Sequence, residues 1–419
     1  MTRMRSHRPH GSRRLATVLR GRPHLRRHHR HRSCRLGARP PSGGRRTRVA
    51  SRKRPPRRGA ALQIIGWARN GCYARSMQPF LRRLVALPVI MVLLALTGSA
   101  ADGRSEPGGA KRPRVIFVHE SAIGCRDPFE RLLCDGFLRA VKRVRVEGRV
   151  ITPSLRESAV DTLSVLARQR YDLVIVFGFG YYEALGEVAR RQPQTSFAIM
   201  DAPLSYIPGR PRNVEGVVFR TSEAAYLAGW LAGRLERRRP GRDAVGIIAG
   251  IKLPSVDDFV IGFRAGVRRA SPGVKVFLEY SHDFADASKC KAIARRQIAR
   301  GAGVVFNVAS GCGLGALEAA KESRAWGVGV DTDQSFLGPH ILTSVVKRYD
   351  AGFLTLLRQV KASKVTTGRD TVLTLADDAV GLGKISPRIG PALRADLERL
   401  ERRIATGQLR VPGAFPNPR

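Results

Sequence analysis

From Arg114 onward the chain alternates between short, continuously apolar runs and longer amphipathic segments, a pattern that excludes all-α and all-β folds. VIFV, GRVIT, YDLVIVFG and SFAIMD read as strands, with helices over about 127–144, 158–169 and 181–192 between them. Strands that are apolar on both faces and separated by helices form a parallel α/β sheet covered on both sides. NVEGVVFR adds a strand before a helix at 223–238, and then the alternation starts afresh. DAVGIIAG, VKVFLEY, GVVFNVA and WGVGVD are the strands of this second series, with helices at about 257–270, 287–300 and 316–325. Two series of similar length predict two Rossmann-like lobes rather than one large sheet. The remainder holds ILTSVV, a helix near DAGFLTLLRQVKA, the strand-like TVLTLADDAVGL and the charged helix ALRADLERLERRIA, too little for a third domain. It must complete the first two lobes by crossing between them. This predicts a first lobe of 114–221 plus about 344–366, a second of 222–343 plus about 367–412, and a multi-crossing hinge.

What precedes Arg114 has a different character. Of a formal charge of +42, more than half sits in residues 1–76, which carry 23 Lys+Arg and no Asp or Glu. Without a periodic apolar stretch this segment cannot offset its ordering entropy, and it is expected to be disordered. Met77 then opens a tidier beginning: Arg82 and Arg83 as a positive region, an apolar core from Leu84 to Leu96, and Gly98-Ser99-Ala100-Ala101 as small residues for cleavage. The core is shorter than the roughly 20 residues a membrane-spanning helix needs. Residues 77–101 therefore read as a secretory signal peptide, and 1–76 as an upstream extension from a wrongly assigned start. The alternative is a genuine basic tail before a membrane anchor, and N-terminal sequencing of the native protein separates the two. After residue 101 the excess charge falls to +17 and is spread over helix faces, without zinc-finger spacing, an RNP pattern or an obvious helix-turn-helix, so nucleic-acid binding is not expected.

Export bears on the cysteines. Cys125, Cys134, Cys290 and Cys312 remain after the leader, an even number in a compartment that permits disulfides. Cys125 and Cys134 could close locally, and Cys290 and Cys312 would then pair across neighbouring βα units; free buried thiols are the alternative. No C-x-x-C is present to support a zinc site, and neither metal nor cofactor is expected.

The segment 303–334, GVVFNVASGCGLGALEAAKESRAWGVGVDTDQ, admits two functional readings. Gly311, Gly313 and Ala316 fit the G-x-G-x-x-A dinucleotide fingerprint, and Asp331 follows about 20 residues on, as a Rossmann-type NAD-dependent oxidoreductase would want. However, this is the third βα unit of its lobe, whereas the fingerprint opens a domain. A nucleophilic hydrolase fares no better, since no G-x-S-x-G elbow appears and only His119, His282 and His340 remain as bases. The second reading is binding without chemistry, with a ligand held between the strand carboxyl ends of two lobes. The residues just past those ends then matter: Glu120 to Phe129, Phe179 to Tyr182, Asp201, Asp283 to Asp286, Ser310 to Gly315, Asp331 to Gln334 and Lys347. Phenylalanine rings suit a flat ring, and Asp with Lys suits vicinal hydroxyls, so a nucleoside fits the inventory.

Residues 213–233, 254–289, 303–334 and 341–348, with their D-x-D-Q and T-S-x-x-K elements, resemble the basic membrane protein (BMP) family. Its members are substrate-binding components of ABC importers, including the purine nucleoside receptor type, and the similarity covers essentially 114–412. The resemblance implies a type I periplasmic binding protein fold, a periplasmic monomer, and delivery of a purine nucleoside or similar flat compound to an ABC permease; the other function weighed is ligand sensing without transport. It also implies that Phe129 and Phe284 sandwich the base, and that Asp201, Asp331 and Lys347 bind the ribose or nearby polar atoms. Asp127, Glu130 and Phe179 complete the expected site, with Gly311 and Gly313 as a turn whose backbone approaches the ligand. The alternatives are core packing for either Phe and a salt bridge for Asp331 and Lys347. Two departures stand out. Where the family reads D-x-S-F-N this chain has Arg126-Asp127-Pro128-Phe129-Glu130, and no lipobox cysteine follows the apolar core, so a soluble form or an uncleaved-leader anchor is expected.

Overall fold

A computed structural model describes residues 111–121, 123–154, 157–237 and 243–416; the leader and the basic segment before it lie outside these. The first series forms β1 (Arg114–Val118), α1 (Pro128–Val144), β2 (Glu147–Ile151), α2 (Ala159–Arg168), β3 (Leu173–Phe177), α3 (Tyr182–Arg191), β4 (Phe197–Met200) and β5 (Val214–Phe219). The second forms α4 (Thr221–Glu236), β6 (Ala244–Ala249), α5 (Pro254–Ala270), β7 (Lys275–Tyr280), α6 (Ala287–Ala299), β8 (Ala302–Val308), α7 (Ser310–Glu322) and β9 (Trp326–Asp331). β10 (Ile341–Lys347), α8 (Tyr349–Lys361), β11 (Asp370–Leu373), β12 (Val380–Leu382) and α9 (Pro391–Ala405) follow.

Two sheets result, ordered β11-β5-β4-β3-β1-β2 and β12-β10-β9-β8-β6-β7. Every pairing is parallel except β10 with β12. The central strands are buried on both faces, which is why their sequences are apolar without alternation. In each sheet the winding reverses beside the first strand of its series, between β1 and β3 and between β6 and β8. Ligands of doubly wound sheets sit outside the strand carboxyl ends at such reversals.

The last fifth of the chain differs from the expectation in detail. TVLTLADDAVGL is not one strand: its first part joins the first sheet as β11 and its end joins the second as β12. β11 is drawn to the β5 edge because buried Glu215 accepts from the Thr371 hydroxyl and from Gln359 Nε2, while Asp370 Oδ1 accepts from the Leu204 amide at 2.6 Å. Residues 370–373 thus sit in the first sheet, and β10 stays in the second through Lys347. The chain crosses between the sheets near Arg220, Arg348 and 374–379. These crossings are bonded to one another, the Arg220 amide to the Leu373 carbonyl and the Arg348 amide to the Ala379 carbonyl, both at 2.8 Å. Arg220 itself is fully buried. Its guanidinium donates to Glu223 Oε1 and to the carbonyls of Val411 and Phe415, so the charge is paired and tied to the C-terminal segment.

Helix α4 is buried nearly all round, as expected of an interior helix. It lies against α5 so closely that a Cβ at Gly266 would fall on the Tyr226 carbonyl oxygen, which explains why a glycine stands there. Among the described residues no helix is long and apolar enough to cross a membrane.

Candidate functional site

The carboxyl ends of both sheets border one cleft of about 410 Å³, a size usual for small-molecule sites. Of the ten residues expected to form the site, eight line it: Asp127, Phe129, Glu130, Phe179, Asp201, Phe284, Asp331 and Lys347. Gly311 and Gly313 do not. They fall in the first turn of α7 rather than in a loop, where a Cβ at Gly311 would approach the Phe284 carbonyl and one at Gly313 would collide with the Asn307 side chain. Ser310, just before them, is the residue of that segment that reaches the cleft.

One end of the cleft is organised on α1. Asp127 caps the helix, its Oδ1 accepting from the amides of Phe129 and Glu130 at 2.9 and 3.1 Å, and Pro128 occupies the first turn where its missing N–H is harmless. That cap aims Phe129 into the cleft, where it meets Phe177 at 5.7 Å and the edge of Tyr349 at 5.9 Å between ring centres. The disulfide Cys125–Cys134 ties the loop to the helix behind it. On the opposite wall Phe284 lies over Gly250, where any side chain would strike its ring. There Cys290–Cys312 joins α6 to α7 beside Phe284 and Ser310. The pairing allowed by the spacing is the one found, and in each case the bridge braces a segment that lines the cleft. His119 approaches Cys125 and Cys134, but disulfide sulfurs are not thiolate ligands, so this group offers no metal site.

The polar end is an ion cluster. Lys347, only 3 % exposed, donates to Asp201 Oδ2 at 2.8 Å, and Tyr349 donates to the same oxygen at 3.4 Å. The ammonium also lies 5.0 Å from the Phe259 ring centre and 5.4 Å from that of Tyr349. Asp331 completes the group: burial raises its carboxyl to about 6, the Lys347 charge pulling it down and Asp201 pushing it up. Asp201 Oδ1 is buried with no hydrogen-bond partner. Both aspartates sit in the left-handed backbone region, at φ 65° and 63°, as does Ser310 at 47°. Such conformations cost free energy, and three of them at strand ends around one cleft fit a binding site. The D-x-D-Q and T-S-x-x-K elements divide their labour. Gln334 accepts from the Val330 amide at 3.0 Å and its own amide donates to Ser344 Oγ at 2.9 Å, which fixes the end of β9 against β10 and so sets Asp331 beside Lys347.

Glu120 and Tyr182 also line the cleft and stand out in the sequence only as parts of strand-end stretches, while Phe177, Phe259 and Tyr349 join them without having been expected there. Phe177 is the last residue of an apolar strand and Phe259 lies on an amphipathic helix, so each reads locally as core. Tyr349, two residues beyond Lys347, could have been found by extending the strand-end rule past the crossing.

The family model described as ABC transporter substrate-binding protein PnrA-like (Bmp) matches residues 114–414. The chain is 32% identical over 267 residues to the CD4+ T-cell-stimulating antigen of Listeria monocytogenes, covering 60% of this chain and 72% of that protein. It is 32% identical over 260 residues to basic membrane protein B of Borrelia garinii, covering 61% and 73% respectively. Among solved structures, an ABC transporter solute-binding protein from Aeropyrum pernix superposes with a TM-score of 0.61 at 24% identity, over 72% of this chain and 94% of that one. That likeness shows the fold, two parallel sheets flanking a cleft as in type I periplasmic binding proteins.

Proposed function

Since the chain belongs to the Bmp family of ABC transporter substrate-binding proteins, which bind rather than transform their substrates, we propose that it captures a nucleoside in the cleft between its lobes. One observation carries the reading: Phe129 and Phe284 on opposite walls flank a space that also holds Lys347, Asp331 and the unpartnered Asp201 Oδ1. Apolar ring faces take a flat base, and carboxylates take the hydrogens of ribose hydroxyls while the ammonium balances their charge. Asp127 and Phe179 border the same space, the first chiefly as the cap that orients α1, the second 45% exposed at its rim. Ligand contacts to both lobes favour the closed arrangement, and the closed form is what an ABC permease receives. In this role the protein works outside the cytoplasmic membrane as a monomer.

Thermal unfolding with purine nucleosides at millimolar concentration tests the proposal. Ligand at about 100 times its dissociation constant stabilises by roughly 2.7 kcal/mol, a rise of several degrees in Tm. Phe129→Ala and Asp331→Ala should each diminish the rise. No shift with any nucleoside, or an undiminished shift in both variants, refutes the reading.

A further inference from the structure

The cleft is more acidic than a neutral ligand requires. Its lining holds Glu120, Asp127, Glu130, Asp201 and Asp331 against one cation, Lys347. That cation belongs to the far end, where it is paired with Asp201 at 2.8 Å and pulls the Asp331 carboxyl down. At the α1 end no described lining residue is cationic. The arginines of that segment are exposed and donate to backbone carbonyls, Arg126 to Ile123 and Arg131 to Cys125. Burial lowers the pKa of His119 and favours its neutral ring. Glu130 accepts from the Ser121 and Glu120 amides and faces that ring, so it is left out of the balance. The lining still carries four carboxylates and one ammonium without it. The amino end of α1, whose amides Asp127 already takes, returns only about half a positive charge.

Glu120 is built into this end of the cleft. The Gly180 amide donates to its Oε2 at 3.4 Å, and Gly178 runs at φ 116°, where a Cβ would fall on the same oxygen. The chain after β3 thus bends around the carboxylate with glycines and brings the rings of Phe179 and Tyr182 to the cleft with it. Burial, and then the charges of Asp201 and Glu120, raise the Tyr182 phenol, so this ring stays neutral within the field of both carboxylates. Phe129 and Phe177 line the same space.

We infer that the bound nucleoside carries a positive charge on its base, and that Glu120 is the carboxylate that selects it. This deepens the nucleoside reading and rests on it. Alkylation of a purine ring nitrogen makes the base a flat cation and leaves the ribose unchanged. Phenylalanine and tyrosine faces attract a cation, and a flat one can stack on them while its charge lies beside a carboxylate. A neutral purine would leave the carboxylates uncompensated as the cleft closes and water leaves, which costs free energy. A cationic base offsets them. The orientation follows from the one ammonium: Lys347 repels the charged base and, with Asp201 and Asp331, meets the ribose, so the base lies toward Glu120.

Calorimetric titration of the full chain near neutral pH with 1-methyladenosine and N6-methyladenosine tests this. The two are isomers, the first cationic and the second neutral. The wild type should bind the cation at least about tenfold more tightly, a difference of about 1.4 kcal/mol. Glu120→Gln keeps an acceptor for the Gly180 amide and should lower that ratio by about threefold or more; its unfolding without ligand checks that it is folded. If the isomers bind alike, if the neutral one binds more tightly, or if adenosine binds and neither isomer does, the charged base is wrong and the nucleoside reading survives. If Glu120→Gln keeps the whole preference, the assignment to Glu120 is wrong. If neither isomer nor adenosine nor guanosine binds, the nucleoside reading falls and this inference with it.

Discussion

Replacing Lys347 with methionine removes one positive charge from the cleft and keeps most of the side-chain volume. The ammonium is 3% exposed, 2.8 Å from Asp201 Oδ2, and close enough to Asp331 to lower its pKa. Breaking a buried pair from one side leaves the other side's charge uncompensated, an effect of about 3–5 kcal/mol. For a folded part of this size that corresponds to a Tm loss of roughly 6–10 °C. The pH dependence identifies the cause. Asp331 has a raised folded pKa of about 6, so its own burial favours the native state below its unfolded value of 3.8, and this contribution is lost as pH rises through about 6. Without Lys347 that midpoint moves higher. The variant is then most impaired above about pH 6, where wild-type Asp331 ionises beside the ammonium, and near pH 5, where Asp331 is neutral in both proteins, it regains the part of the loss that Asp331 causes while the part from the broken Asp201 pair stays. Urea unfolding of wild type and Lys347→Met at about pH 8 and pH 5 reads the difference. An equal loss at both pH values would mean that the ammonium does not compensate Asp331, and a loss under about 1 kcal/mol at the higher one that it compensates neither carboxylate.

The two disulfides close loops of 9 and 22 residues, so reduction of either should cost about 2–4 kcal/mol; peptide mapping without reductant should find Cys125 with Cys134 and Cys290 with Cys312, and any other pairing contradicts the structure. Gly266→Ala would press a methyl group onto the Tyr226 carbonyl and force α4 from α5, a loss of about 1–3 kcal/mol by urea unfolding, whereas Gly273→Ala, which meets nothing within 4 Å, should change stability by less than about 0.5 kcal/mol.

The sheets were legible because their strands are buried on both faces, which leaves an uninterrupted apolar run such as AGVVFNV in β8 that no amphipathic helix shares. Lobe membership after β10 was harder to read. TVLTLADDAVGL is strand-like at both ends but turns at 375–378, where Asp377 accepts from the Thr374 amide at 2.9 Å, and what sends its two ends to different sheets is a set of distant polar partners: Glu215 for Thr371, the Leu204 amide for Asp370, and Glu223 Oε2 accepting from the Leu375 amide at 2.8 Å. None of these is within 140 residues of the strand it positions, so a local window holds the turn at Asp377 but not the sheet that each end joins. The same holds for Phe177 and Tyr349, which the fold converts from core-like residues into cleft walls by ending a strand or beginning a helix at the right edge.

The glycine spacing at 311–316 shows how one local pattern can have two physical causes. A dinucleotide fingerprint uses its glycines to admit a pyrophosphate to a helix N-terminus. Here the glycines admit protein. Gly313 yields to the Asn307 side chain, whose Oδ1 accepts from the Ala309 amide at 2.8 Å and fixes the turn out of β8, and Gly315 yields to the Ala287 backbone at the start of α6. The Cys290–Cys312 bridge joins these same two helices, so the small residues and the disulfide serve one close packing. That packing carries Phe284 and Ser310 to the cleft from adjoining turns. Asp331 then owes its place to β9, which pairs with β8 on one side and with Lys347-bearing β10 on the other, and its distance in sequence from the glycines is a consequence of one intervening helix. Glycine spacing and a following aspartate are therefore what any βαβ unit with a tightly packed helix and a polar strand end will display, and the choice between cofactor cradle and ligand wall turns on what each missing Cβ would have touched.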